Sequence, residues 1–208
     1  MTPMRRITGI LTLITVCAAC TGPEPPGTLE RYRARNIDLQ KTYRIAVLPI
    51  EPGPAAPKSA EIVADAVTTA LSAHYDVVRF ERRPTGLVGP GPASLLDDLL
   101  EARNRYAADA LLQSRIIAYQ PFQPPSITMS LRMVSATNGQ MLWKVAGTID
   151  SARPEVERRA KEYFDRMQQA DDSLCGWHTM LLAERRYAQF VADEFLLTVS
   201  PISQPRRQ

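Results

Sequence analysis

The chain has 208 residues, 45% hydrophobic and 23% charged, with 25 Lys and Arg against 22 Asp and Glu and a net charge of +3. A balance this close to neutral, with no basic stripe, argues against a nucleic-acid partner. Three cysteines and two histidines leave little material for a metal centre, because a structural zinc site takes four ligands in paired spacing.

The N-terminus opens with Arg5 and Arg6, followed by the apolar run Ile7 to Val16. That run has the length of a signal-peptide core and is too short for a span of about 20 helical residues. Cys17-Ala18-Ala19-Cys20 then resembles a lipobox, with Cys17 where an aliphatic residue is usual. The resemblance implies cleavage before Cys20 and lipid on Cys20. Residues 1–19 are read as the lipoprotein signal peptide. Their loss removes two arginines and no acid, which brings the chain to about +1. Residues 20–42 read as a tether, because Pro23, Pro25, Pro26, Gly22 and Gly27 stand among few apolar residues. A short helical turn near Arg31 and Arg33 is expected to end it. Residues 43–200 form one globular domain, a length that buries close to about 70% of its unfolded surface, and 201–208 form a loose tail.

Within the domain, Tyr43 to Ile50 (YRIAVLPI) is a buried strand. Ser59 is placed to cap a helix whose face carries Val63, Val67, Ala70 and Leu71, ending near His74. Tyr75 to Phe80 is a second strand, and Glu81 to Pro92 a Pro- and Gly-rich loop. Ser94 to Asp97 has the form of a capping box before a helix face of Leu95, Leu99, Ala102 and Tyr106. Ala108 to Tyr119 is a third strand, broken by Pro121, Pro124 and Pro125. Ile127, Met129, Leu131 and Met133 then alternate with polar residues, so one face of the fourth strand is buried. Asn138-Gly139 is a hairpin signal, and Met141 to Ile149 returns as the fifth strand with Trp143 in the core. Pro154 opens a helix with Val156, Ala160, Tyr163 and Met167 on one face. After a break at 171–176, a last helix runs from Met180 to Leu197.

The order is β-α-β-α-β-β-β-α-α. Crossovers through helices make neighbouring strands parallel, and the last three strands form an antiparallel meander. The expected fold is therefore α+β: one mixed five-stranded sheet, an α/β sandwich, with two C-terminal helices.

Ala46-Val47-Leu48-Pro49, Tyr106-Ala107-Ala108-Asp109-Ala110 and Val134 to Gly139 leading to Leu142-Trp143 resemble small bacterial envelope lipoproteins of the curli-secretion-channel and penicillin-binding-protein-activator group. That group shares a sheet with the N-terminal domain of TolB. The resemblance covers about residues 43–150. It implies assembly work at the cell envelope, with Asn138-Gly139 as a turn, Trp143 as buried area, and Asp109 tying a helix end to a strand start.

No nucleophile elbow, P-loop or dinucleotide fingerprint is present. Cys17 leaves with the signal and Cys20 is acylated, so Cys175 is alone and no intramolecular disulfide forms. Cys175 is a buried apolar residue or a free thiol, and Cys175 with His178 is the one pair a thiol-dependent enzyme could use. The expected function is that of a non-enzymatic, lipid-anchored periplasmic module at the outer membrane, without cofactor or metal. Its partners are the membrane, other envelope proteins and a second copy of itself; an auxiliary role in an envelope transporter is the alternative. The partner surface is expected at the sheet edge and at two Pro-rich segments, 81–92 and 120–125, with Tyr119 and Phe122 as aromatic anchors.

Overall fold

The computed structural model describes residues 29–34, 42, 44–81, 92–168 and 176–199. The sheet is mixed, as expected, but has six strands in the order β1-β6-β5-β4-β2-β3. They are β1 (Glu30–Arg33), β2 (Arg44–Val47), β3 (Asp76–Arg79), β4 (Ala110–Gln120), β5 (Ser126–Ser135) and β6 (Met141–Asp150). Among the described residues five helices accompany them: α1 (Pro57–Ser72), α2 (Pro92–Tyr106), α3 (Pro154–Gln168), α4 (Trp177–Leu182) and α5 (Glu184–Leu196).

The extra strand is β1. It lies within 20–42, where a helical turn was expected at Arg31 and Arg33, and it pairs antiparallel with β6, Tyr32 opposite Lys144. All four of its residues are exposed. Main-chain pairing, not apolar burial, makes this strand.

β2 lies parallel to both β3 and β4. Its start is fixed by Asp109: the Arg44 N–H donates to Asp109 Oδ2 at 3.0 Å, and the Asp109 N–H donates to the Arg44 carbonyl at 2.9 Å. The preceding helix α2 ends with Ala107 at φ 49 and the Ala108 N–H on the Ala102 carbonyl, 3.0 Å away. This is a left-handed helix stop, made with alanine in the usual glycine place. Asp109 thus ties the end of α2 to the start of β2.

The two sheet faces are covered unequally. α1, α3, α4 and α5 bury Ile45, Leu112, Met129, Leu131, Met133, Trp143, Val145 and their neighbours on one face. Among the described residues α2 is the one helix on the other, with Leu99 and Ala102 against Ala46, Leu111 and Val134. Among the described residues no helix is long and apolar enough to cross a membrane.

Several local expectations are corrected. α1 begins at Pro57, with no side-chain cap, because proline at the first position already holds the helical φ; Ser59 lies inside the helix. α2 starts at Pro92, two residues ahead of the expected cap. Met167, expected on the buried face of α3, is 46% exposed. The last helix is two, because Ala183 is extended; its carbonyl then accepts the Arg186 and Tyr187 N–H groups and starts α5. The β5–β6 turn is not a two-residue hairpin. Such a turn of type I′ needs positive φ at both central residues, and here Gly139 alone has it, at +69. Ala136 to Gly139 make a longer loop closed by the Gly139 N–H on the Ser135 carbonyl at 2.9 Å.

Trp143 is fully buried and its Nε1–H donates to Thr198 Oγ1 at 3.2 Å. Truncating a buried Trp costs about 3–5 kcal/mol, out of a total of about 5–15 kcal/mol. Trp143→Ala should therefore lower the denaturant midpoint sharply. An unchanged midpoint would contradict this packing.

Candidate functional site

Strands β4, β5 and β6 alternate, so residues on one parity enter the core and the others face out beside α2. Across this outward face the register places Tyr32, Lys144, Arg132 and Gln113 in one row, and Glu30, Ala146, Ser130 and Arg115 in the next. A groove of about 590 Å³ runs over these rows, bounded by Glu51, Gly53 and Pro54. Gly53 builds that wall at φ +54, and a Cβ there would meet the Ile116 carbonyl oxygen at 2.0 Å. Only glycine allows the turn to approach β4 so closely.

The groove is cationic. Arg132 Nε donates to Gln113 Oε1 at 2.8 Å, and its Nη2 reaches the same oxygen. Gln113 is neutral, so the guanidinium is held in place without its charge being met. Arg115 stands 3.6 Å from Glu51. Among the described residues no ion pair engages Arg132 or Lys144.

Tyr119 and Phe122 sit in different surroundings. Tyr119 is half-buried against the core and its hydroxyl donates to the Glu184 carboxylate. Burial, and next the bond to Glu184, push its pKa up, so it stays a protonated donor. Phe122 is 80% exposed in the short β4–β5 connection. Segment 82–91, Cys20 and Cys175 lie outside the described residues. His178 is exposed and packs on Trp177 with ring centroids 3.6 Å apart; Lys161 lies over the same indole at 4.5 Å. His74 is exposed just beyond α1. Among the described residues no three His, Cys, Asp or Glu side chains gather as metal ligands.

Sequence reading missed one buried ion pair. Glu194 on α5 is 2% exposed, and its Oε2 lies 2.7 Å from Arg159 Nη2 on α3. Burial raises the Glu194 pKa, and Arg159 opposes the rise. Asp193 next to it is also raised by burial, against bonds from Tyr163 and Gln189. An acid among the apolar residues of α5 was the only sequence signal for this pair.

No protein-family model matches the chain, and no curated protein matches it. Solved structures similar to it include the PelC dodecamer from Paraburkholderia phytofirmans, at 17% identity and TM-score 0.44, covering 64% of this chain and 88% of that one. Lipoprotein GNA1162 from Neisseria meningitidis is similar at 19% identity and TM-score 0.39, with 63% and 98% coverage. The LpoB C-terminal domain from Salmonella enterica is similar at 12% identity and TM-score 0.33, with 52% and 82% coverage.

Removing Arg159 leaves the Glu194 carboxylate buried and unpaired, which costs about 3–5 kcal/mol when one partner of such a pair is lost. A carboxyl whose pKa is raised on folding favours the fold most when protonated, and that contribution fades as pH rises through the raised pKa. Arg159→Met should therefore destabilise the domain most at neutral pH. The deficit should shrink as pH falls toward the ordinary carboxyl range. Denaturant melts of both proteins at pH 7 and near pH 5 check this; a pH-independent deficit would show that Glu194 is not the cause.

Proposed function

We propose that this chain is a lipid-anchored, non-enzymatic module of the bacterial envelope, held at the outer membrane by Cys20 with its domain in the periplasm, where it binds other envelope proteins or further copies of itself. The observation that carries the reading is the N-terminal run: Arg5 and Arg6, the apolar stretch Ile7 to Val16, then Ala18-Ala19-Cys20. A single acyl chain binds a membrane only marginally, and stable anchoring takes more than one signal. The anchor is thus a multiply acylated Cys20. Thr21, not Asp, follows it, which supports outer-membrane sorting. Residues 1–19 are the signal peptide in this reading, and the chain from Cys20 to β1 is the tether.

The partner surface is proposed at the β4–β5 connection, with Phe122 as the group that makes contact and Tyr119 as the residue that holds the connection to α5. An aromatic side chain standing 80% exposed beside prolines supports this, because aromatic groups are enriched at interface centres.

Two experiments test the reading. Cys20→Ser should abolish palmitate labelling and release or mislocalise the protein; unchanged labelling and unchanged recovery in washed outer membranes would rule out the anchor. Phe122→Ser should leave the melt within about 0.5 kcal/mol of the parent, as surface changes do, and should lose crosslinked partners or copies in pulldowns from membranes. Tyr119→Ser should instead destabilise the fold, since it removes packing and a hydrogen bond to a carboxylate, a bond worth about 1.5–3 kcal/mol. Full partner recovery by Phe122→Ser would exclude the connection as the interface.

A further inference from the structure

Arg132 and Lys144 face one another directly across β5 and β6, where opposed side chains have Cβ atoms about 5 Å apart. Like charges in that position destabilise a sheet. Gln113 then fixes the Arg132 guanidinium instead of letting it swing clear. Arg115 adds a third cation to the same groove, on the strand beyond. Among the described residues Glu51, at 3.6 Å from Arg115, is the one carboxylate lining it. Three cations held over a polar floor of Gln113 and Ser130, met among the described residues by Glu51 alone, leave an excess of positive charge that suits an external anion.

We propose that this groove binds the phosphate groups of anionic phospholipid, so that the outward face of β4–β6 docks on the bilayer surface. The choice of a lipid as the source of the phosphate rests on the Cys20 anchor reading. Tyr32, one strand away and opposite Lys144, is only about 12 residues beyond Cys20. A fully extended chain of that length spans at most about 43 Å. The bilayer surface is therefore always within reach of the groove. Each cation near an anionic surface contributes about 1 kcal/mol, so the groove alone gives weak, salt-sensitive attachment that adds to the anchor.

The test uses the mature chain, residues 20–208 with Cys20→Ser, so that neither the apolar leader nor attached lipid holds it, mixed with phosphatidylglycerol-containing vesicles or with pure phosphatidylcholine vesicles. The chain should sediment with the first at low salt and not with the second, and added salt should release it. Arg132→Gln/Lys144→Gln should weaken that binding about thirtyfold, the equivalent of about 1 kcal/mol per charge. Because the two opposed cations cost stability, the double variant should melt no lower than the parent; Lys144→Gln alone, at an exposed position, gives a second reading at about fivefold. Equal binding to both vesicles, no binding by the parent, or undiminished binding by the variants would overturn the proposal. So would loss of self-association in the variants without any vesicle binding, which would make the face an interface between copies. Palmitate labelling of the unmutated chain reads the anchor separately. A Cys20 without lipid, with vesicle binding intact, would sink the anchor and leave the groove standing.

Discussion

Alternation in the three long strands, interrupted by one register shift in each pairing, is the constraint on which the rest of the structure depends. Leu112, Met129, Leu131, Met133, Trp143 and Val145 all fall on one parity of β4, β5 and β6 and are buried. A slip of one residue in any of these pairings would send that set to solvent, so the register is strongly fixed. The opposite parity is thereby fixed too. Gln113, Arg115, Ser130, Arg132 and Lys144 meet on the other face because the core residues between them must meet on theirs.

The helices exploit this asymmetry. α5 carries Tyr187, Phe190, Val191 and Phe195 into the core, and it is pinned at both ends. At its start the Tyr187 hydroxyl donates to the Pro125 and Ile149 carbonyls, each at 2.9 Å, which joins α5 to β6 and to the connection ahead of β5. Beyond its end Thr198 accepts from the Trp143 indole. The Arg159–Glu194 pair crosses from α3 to α5 between these pins. A buried pair of this kind adds little net stability over an apolar substitute. It does demand one relative placement of the two helices, since either partner alone would be a buried, unmatched charge.

Much of this was legible from residues 127–133 and from Trp143, because period-two alternation and a large aromatic report burial directly. The parallel strands around α1 and α2 were legible for a different reason: Ile45 to Ile50 and Ala110 to Leu112 are continuous apolar runs, as strands covered on both faces are. β1 was not: Glu30, Tyr32 and the two arginines bury nothing, and a strand held only by its neighbour's main chain leaves no pattern of its own. The cationic groove was not legible either. Arg115, Arg132 and Lys144 are distant in sequence, and only the register makes them neighbours. Tyr119 and Phe122 looked equivalent because both are aromatics beside prolines. What separates them is Glu184, a residue far along the chain whose position depends on the break at Ala183.

β1 also has a mechanical meaning. A chain held at Cys20 and loaded from the domain side transmits that load through β1, the first described strand, whose side chains are all exposed. Its grip is a four-residue ladder extended by the Ala34 N–H on the Leu142 carbonyl at 3.1 Å. Leu29 and Ala34, which flank it, touch the core, but β2 to β6 pair without it. Detaching β1 would cost those contacts and free Glu30 to Ala34, up to about 18 Å of extra contour. Such a strand yields before the domain does, as a fuse protects the circuit behind it.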